Sequence, residues 1–560
     1  MVLWIKKQLH THGLNLLYVL VITCVLMLPY ITKDFLPIEH DTFFHVSRIE
    51  QLSKSIRSGN ILPALYPYEN NGYGYASPLF YCDFLLIPFA LLHLAGCSLA
   101  FSYKAAVFTA SYLSCLSMMH LMNTLCHKRS ASWIGGAAYL FANYRITDIY
   151  VRGALGEIFA FVFLPCVIES MYRILYTENT KNYRYPGFSL AGLCLCHNLT
   201  FLMGVVLCII LFSVSLKEVT KEKIITLLKA VIMAFLLSCF FTLPMLEQLS
   251  QQKYVLNYYG ETSDLGSGSM VFWQYFVNKT IFGYSGNALP HDQTMTVNIG
   301  WFLTFVPLLW FLVKKDIRSQ YAFITKVMIT GYIFMFLPCS LIPWNDLYFL
   351  RIMQFPWRMN TIAMILLTIP ASASVSLLLT QKHIWTIVPV LMSIECLYHV
   401  VPVYTRTFGL TSKTTWQDVL DGDLCDPYYS AYYVRVELAG GDYLPLSSPD
   451  FRQRDYVLRD ENDMPLEAEL TKKDNILSFS ISESYKDVVL PLTYYKGYHI
   501  YDSNQKELSV TESDNGMVSA KNLKAGSYTC LYKNTPLRNV SIGISLLYLL
   551  FSILPLKKHH

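Results

Sequence analysis

Long apolar runs separated by short polar stretches set the plan of this chain. Runs near 13–30, 101–125, 130–145, 155–175, 224–247, 296–313, 320–342, 358–380, 383–403 and 538–556 are each about long enough to cross a bilayer as a helix. The run 187–216 carries basic residues at both ends and breaks at His197 and Asn198, which predicts a hairpin of two short spans. The run 78–95 (PLFYCDFLLIPFALLHLA) is ambiguous. Counted as a span it would place Lys128 and Arg129 outside, so it reads as a helix lying in the outer interface.

Lys6/Lys7, Lys128/Arg129, Arg173/Lys181/Arg184, Lys217/Lys221/Lys223, Lys314/Lys315/Arg318, Lys382 and Lys557/Lys558 all fall on the cytoplasmic side under the positive-inside rule. The expectation is a multi-pass cell-membrane protein with twelve spans and both termini cytoplasmic. The first run continues to Tyr30 without a small-residue cleavage site and reads as an uncleaved span. Lys557 to His560 read as a cytoplasmic anchor, although the same residues match a dilysine retrieval signal.

This topology sends the large polar segments outward: 31–100, 146–154, 248–295, 343–357 and the insert 404–535. The insert alternates apolar and polar residues in ILSFSISES and SYTCLYKN, with turn signals at 496–497 and 514–516, and so predicts a small β-sandwich. The expected domains are a membrane domain over 1–403, the β-rich insert over 404–535 and a final helix with its tail over 536–560.

Composition agrees with membrane residence, since 53% of residues are hydrophobic, 15% are charged and the mean hydropathy is +0.35. The net charge of +5 is scattered over small clusters and forms no face that could track a nucleic acid. The fourteen cysteines lack paired zinc spacing and read as small hydrophobes. Cys425 and Cys530, near the ends of the insert, leave a disulfide and two free thiols equally open. No Walker loop, GxGxxG, HExxH or GxSxG occurs.

Four outer segments concentrate polar chemistry. The first, HDTFFHVSRIEQLSKSIRSGN (40–60), reads as an amphipathic helix with Asp41, His45, Arg48 and Leu52 on one stripe and Glu50, Lys54 and Arg57 on the opposite face. A carboxylate beside an arginine at the membrane surface can accept a proton while the cation holds a phosphate; a helix-dipole and i,i+4 role accounts for the same spacing. The second, YPYENNGYGYASPLFY (66–81), supplies Tyr68, Asn71 and Tyr75 in a tight aromatic loop suited to sugars, or to an interfacial belt. The third, NYRITDIYVRGALGE (143–157), places Arg145, Asp148 and Arg152 at i, i+3 and i+7 with Glu157 entering the next span. Its alternatives are chemistry and a structural Arg152–Glu157 ion pair. The fourth, LRIMQFPWRMN (350–360), carries Arg351, Gln354, Trp357 and Arg358, which can grip a lipid phosphate or anchor the interface. His197 either lines the same cavity or caps a helix.

Together HDTFFHVSRIE, YPYENNGYGYASPLFY, YRITDIYVRGALGE and QFPWR resemble bacterial membrane proteins labelled 6-pyruvoyl-tetrahydropterin-synthase-related, which look like the YfhO group and the wider GT-C glycosyltransferases. DYLP (442–445) and YYKGY (494–498) extend the resemblance loosely into the insert. The resemblance implies a polytopic GT-C-like α-helical fold and transfer of a sugar from a polyprenyl-phosphate donor to an envelope glycan, lipid or polymer on the extracytoplasmic face. It points to Asp41 and Glu157 as catalytic, with Asp148 a further acidic candidate and Arg351 and Arg358 on the donor phosphate. His40, His45, Arg48, Tyr68, Asn71, Tyr75, Arg152, His197, Gln354 and Trp357 complete the candidate substrate surface. The acidic pair leaves room for a divalent cation; no other cofactor is implied. The expected partners are the lipid-linked donor, the acceptor and membrane lipids. A transporter or flippase of lipid-linked sugars, or a non-catalytic envelope assembly protein, is the alternative. Twelve spans suit transport, but these charges sit at outer span ends rather than at the midplane.

Overall fold

A computed structural model describes residues 2–37, 39–177, 181–379, 381, 383–405, 409–414, 418, 441–449 and 454–553. Lys382, Lys557, Lys558 and Cys425 lie outside the described residues. The chain is predominantly helical and polytopic. Among the described residues six helices are long and apolar enough to cross a membrane: Leu99–Cys126, Leu155–Tyr176, Lys221–Leu249, Pro356–Leu378, Thr386–Thr405 and Pro536–Ile553. Shorter apolar helices occupy Gly13–Leu26, Phe84–Leu94, Asn198–Ser213, Trp301–Leu312 and Ala322–Phe336.

Two compact units are each assembled from separate stretches of chain. The first comprises Met1–Val46, Ala95–Ala234 and Ser263–Ser430, and the second Ser47–Leu94, Phe235–Thr262 and Ala431–His560. In the first unit Leu99–Cys126 packs against both Arg129–Leu140 and Leu155–Tyr176. The close approach is made by Gly135 and Gly136: a Cβ on Gly136 would lie 2.8 Å from Met119 Cγ and 2.9 Å from Cys115 Sγ, and one on Gly135 2.6 Å from Met122 Cγ. Small residues at such a crossing let helices approach where lipid offers no hydrophobic drive between them. Residues 360–376 are buried throughout, so the Asn360–Leu378 helix runs through the middle of this unit. The apolar run 187–216 forms two helices, Arg184–Cys196 and Asn198–Ser213, broken at His197.

In the second unit two antiparallel sheets are described. One orders Ala468–Lys473, Ile476–Ile481, Gly526–Tyr532, Tyr498–Asp502 and Glu507–Leu508; the other orders Tyr485–Thr493, Met517–Leu523 and Val510–Glu512. Alternate residues Leu477, Phe479 and Ile481 point inward. Cys530 is a buried free thiol in this core. The loop 66–75 is as tight as its composition demands: Asn70, Asn71, Gly72 and Gly74 all take positive φ. Tyr68 is exposed, its hydroxyl accepting from the Asp474 N–H at 2.8 Å, whereas Tyr75 is buried with its hydroxyl accepting from the Tyr443 N–H at 3.1 Å. The helix over 40–60 is observed as Thr42–Arg57. Its burial is wider than one stripe, because Glu50, expected on the solvent face, is buried and pairs with Lys54 at 3.0 Å and His93 at 2.6 Å.

Gly136→Leu is expected to destabilise the first unit by ~1–3 kcal/mol or more, as overpacking of a filled helix contact does. Thermal unfolding of the detergent-solubilised protein checks this; an unchanged midpoint counts against the packing described.

Candidate active site

The site is built where the connection between two helices abandons α-helical geometry. Asn143–Thr147 is a single α-turn, Asp148–Arg152 is a π-helical turn, and Gly153 follows with φ +63° before Leu155–Tyr176 begins. The wider turn leaves the carbonyls of Val151 and Arg152 free to accept from the N–H groups of His40 (3.3 Å) and Asp41 (2.8 Å). A Cβ on Gly153 would come within 2.7 Å of Thr42 Oγ1. Glycine is therefore required there twice, for its backbone conformation and for the approach of the 39–42 segment.

Arg152 is the centre of the cluster. Its guanidinium is buried, donates to Asp148 Oδ1, and pairs with Glu157 Oε2 at 2.6 Å. It also lies 4.8 Å from the centroid of the Trp357 ring. Glu157 is fully engaged, since its Oε1 accepts from the Tyr144 hydroxyl at 2.9 Å and from Thr361 Oγ1 at 2.5 Å. Asp148 keeps one buried oxygen, Oδ2, without a hydrogen-bond partner.

Asp41 differs from both. Its carboxylate is half-buried and, among the described residues, has no hydrogen-bond or ion-pair partner, although Arg152, Arg358 and Glu157 all act on it electrostatically. Burial pushes its carboxyl above the usual aspartate range, and the two arginines only partly offset that. Arg358 is also half-buried. Its Nη1 donates to Gln354 Oε1 at 2.6 Å and to the Met353 carbonyl at 3.2 Å. Gln354 has φ +63° and ψ −46°, and the Phe355 N–H donates to the Met353 carbonyl at 2.7 Å, which makes a γ-turn centred on a non-glycine residue. That strained turn folds the Gln354 side chain back onto Arg358.

The structure thus brings Asp41, Asp148, Arg152, Glu157, Gln354, Trp357 and Arg358 together. The His40 ring stacks on Tyr284 with centroids 5.2 Å apart, and His45 is buried beside Phe44. His197 caps the helix it precedes, its Nδ1 accepting from the Thr200 N–H at 3.4 Å, and lies within electrostatic range of Glu157. Arg351 lies over the Tyr348 ring, 4.8 Å away, in the 3₁₀ run Tyr348–Met353. Arg48, Tyr68, Asn71 and Tyr75 belong to the other unit, where Arg48 is buried against Asp83 with Nε to Oδ1 at 2.7 Å. Tyr144, Thr361 and Tyr284 were not singled out from sequence. The first two stand inside or next to quoted phrases, but only the fold reveals that they hold Glu157.

The donor set does not fit a resident divalent cation. Among the described residues no group of three or more His, Cys, Asp or Glu is placed to hold a metal ion, and both carboxylates nearest Arg152 are already ion-paired.

No protein-family model matches the chain. No curated protein matches it. Among solved structures it is similar to the cryo-EM structure of arabinofuranosyltransferase AftD from Mycobacteria, with 10% identity and a TM-score of 0.47 over 74% of this chain and 29% of that one.

Glu157→Gln removes one of the two carboxylates on Arg152 and weakens the bonds from Tyr144 and Thr361, and is expected to cost ~1–3 kcal/mol. Asp41→Asn has the opposite sign. Because the folded-state pKa of Asp41 is raised, its carboxyl contributes stability below the unfolded value of about 3.9, and that contribution is lost as pH rises through the raised folded value. At neutral pH Asp41→Asn is therefore expected to unfold at the same temperature as wild type or higher. Thermal unfolding of both variants at pH 7 distinguishes them, and a large destabilisation by Asp41→Asn would give that residue a structural role.

Proposed function

We propose that the chain is a GT-C-type membrane glycosyltransferase that moves a sugar from a polyprenyl-phosphate donor to an envelope glycan, lipid or polymer acceptor on the extracytoplasmic face. The observation that carries this reading is the unpaired, half-buried carboxylate of Asp41 beside two arginines. A carboxylate held above its ordinary pKa and free of partners is a competent base, while Asp148 and Glu157 are occupied by Arg152.

In the proposed reaction, Asp41 takes the proton of an acceptor hydroxyl as its oxygen attacks the anomeric carbon. The bond from that carbon to the phosphate oxygen breaks, the electron pair leaves with the phosphate, and Arg358 stabilises the developing charge. Attack opposite the leaving group inverts the anomeric configuration. Arg152 is a positioning residue: it is saturated by two carboxylates, and its carbonyl fixes the backbone of Asp41. Gln354 aims Arg358, and Arg351 stands further along the same segment as a second phosphate contact. The His40–Tyr284 pair offers an aromatic face for the sugar.

The reading includes twelve spans, cytoplasmic termini and an outward insert over 404–535, which follow from the distribution of basic residues, and a β-sandwich in that insert, which follows from its alternating runs and turn signals.

Asp41→Asn is expected to lower transfer by about 10²–10⁴-fold with protein abundance intact, because the amide keeps the shape and cannot take a proton. Wild-type turnover should rise with pH through the raised pKa of Asp41. Donor-dependent transfer by purified wild type and variant, across pH, tests both, and normal transfer by Asp41→Asn removes it from the mechanism. Arg358→Lys should reduce turnover more than abundance, since an ammonium cannot grip phosphate bidentately. For orientation, a cysteine placed at the exposed Ser447 should react with an impermeant maleimide in intact cells; labelling only after lysis overturns the topology.

A further inference from the structure

We infer that the second unit holds a binding site for a phosphate-bearing membrane lipid, centred on Arg538 and independent of the Asp41 cluster. Arg538 is in the first turn of the Pro536–Ile553 helix and only 6% exposed. Its Nη2 donates to the carbonyls of Leu62 and Pro63, both at 2.9 Å, while its Nε and Nη1 are buried without an acceptor. Among the described residues no carboxylate makes an ion pair with it. Asp83 is held by Arg48 and by the Tyr66 hydroxyl at 2.5 Å, and Glu247 by Lys496 at 3.1 Å and Thr535 at 2.6 Å. A buried guanidinium without a counter-charge is costly, and an anion beside it offsets that cost.

The space beside Arg538 suits such an anion only if it carries an apolar chain. A narrow, partly open groove is lined by Arg538, Asp83, Ile61, Leu79, Phe84 and Phe240, among others. The charge of Asp83 is already neutralised by Arg48, which leaves one net positive charge in the groove. Ile61 and Phe84 are 56% and 43% exposed at its edge, so the approach is apolar and unsuited to a free ion arriving from water. The helices Lys221–Leu249 and Pro536–Ile553 that border it are both membrane-crossing candidates. They contact each other where Ser545 Oγ accepts from the Phe240 N–H at 3.1 Å. A planar guanidinium is matched to a phosphate head group.

The test is lipid binding to the purified full chain in detergent, read by native mass spectrometry. Dioleoyl phosphatidic acid is compared with dioleoylglycerol, which has the same chains and no phosphate, and with inorganic phosphate alone. Retention of phosphatidic acid only is expected, weakened at least ~10-fold by Arg538→Met and by Ile61→Trp, which closes the mouth and leaves the arginine in place. If Arg538→Met fails to fold, Ile61→Trp decides alone. Equal retention of dioleoylglycerol, saturation by inorganic phosphate, or undiminished phosphatidic acid binding by Ile61→Trp overturns the proposal.

Discussion

The guanidinium of Arg152 is the constraint on which the candidate site depends. A cation at 5% exposure beside a membrane-crossing helix is tolerable only with compensating charge, and Asp148 and Glu157 supply it from one stretch of ten residues. That demand fixes the local backbone. Asp148 and Arg152 meet as an i,i+4 pair, Gly153 reverses the chain, and Glu157 then enters its helix facing the same guanidinium. Tyr144 and Thr361 satisfy the remaining carboxylate oxygen, and so bring the Pro356–Leu378 helix into the cluster. The Arg152 carbonyl, freed by the π-helical turn, holds Asp41. One ion-paired arginine therefore determines where a different, unpaired carboxylate stands.

This division of labour sorts three carboxylates that look alike in sequence. Asp148 and Glu157 are both committed to Arg152, and neither side chain is free for another partner of that kind. Asp41 is held only through its backbone, so its side chain is available to chemistry and is a burden on stability in its ionised form. Residues kept for reactivity commonly sit in this position, where local interactions would be improved by a substitution that removes function.

Much of this was legible in the sequence. The apolar runs located the long helices, the polar break at His197 separated two shorter ones, and the polar segments between runs named residues that gather around Arg152. What escaped did so for identifiable reasons. Counting i, i+3 and i+7 from Arg145 assumes 3.6 residues per turn, and the π-helical turn breaks that rhythm. Arg145 accordingly goes into the interior, 5.0 Å from the Phe161 ring centroid. The stripe on 40–60 took Arg48 as a companion of Asp41, yet its partner Asp83 lies 35 residues on, a pairing no periodicity encodes. The assembly of two units from interleaved stretches is equally invisible, because composition does not change at their boundaries.

The nearness of Asp148, Arg152 and Glu157 in sequence also bears on how the protein is made. A membrane protein is delivered to the bilayer segment by segment, and an arginine at the mouth of a span that had to wait for a distant partner would stand there without a counter-charge. Here Arg152 and Asp148 are one helical turn apart and Glu157 follows within five residues, so the nascent segment carries its own neutralisation before any later helix exists. The contacts of Thr361 with Glu157 and of Trp357 with Arg152 come from chain synthesised some two hundred residues later. They can lock an arrangement in which Arg152 already has its counter-charges. Insertion and final assembly are thus separable events, with charge settled locally in the first and geometry completed over distance in the second.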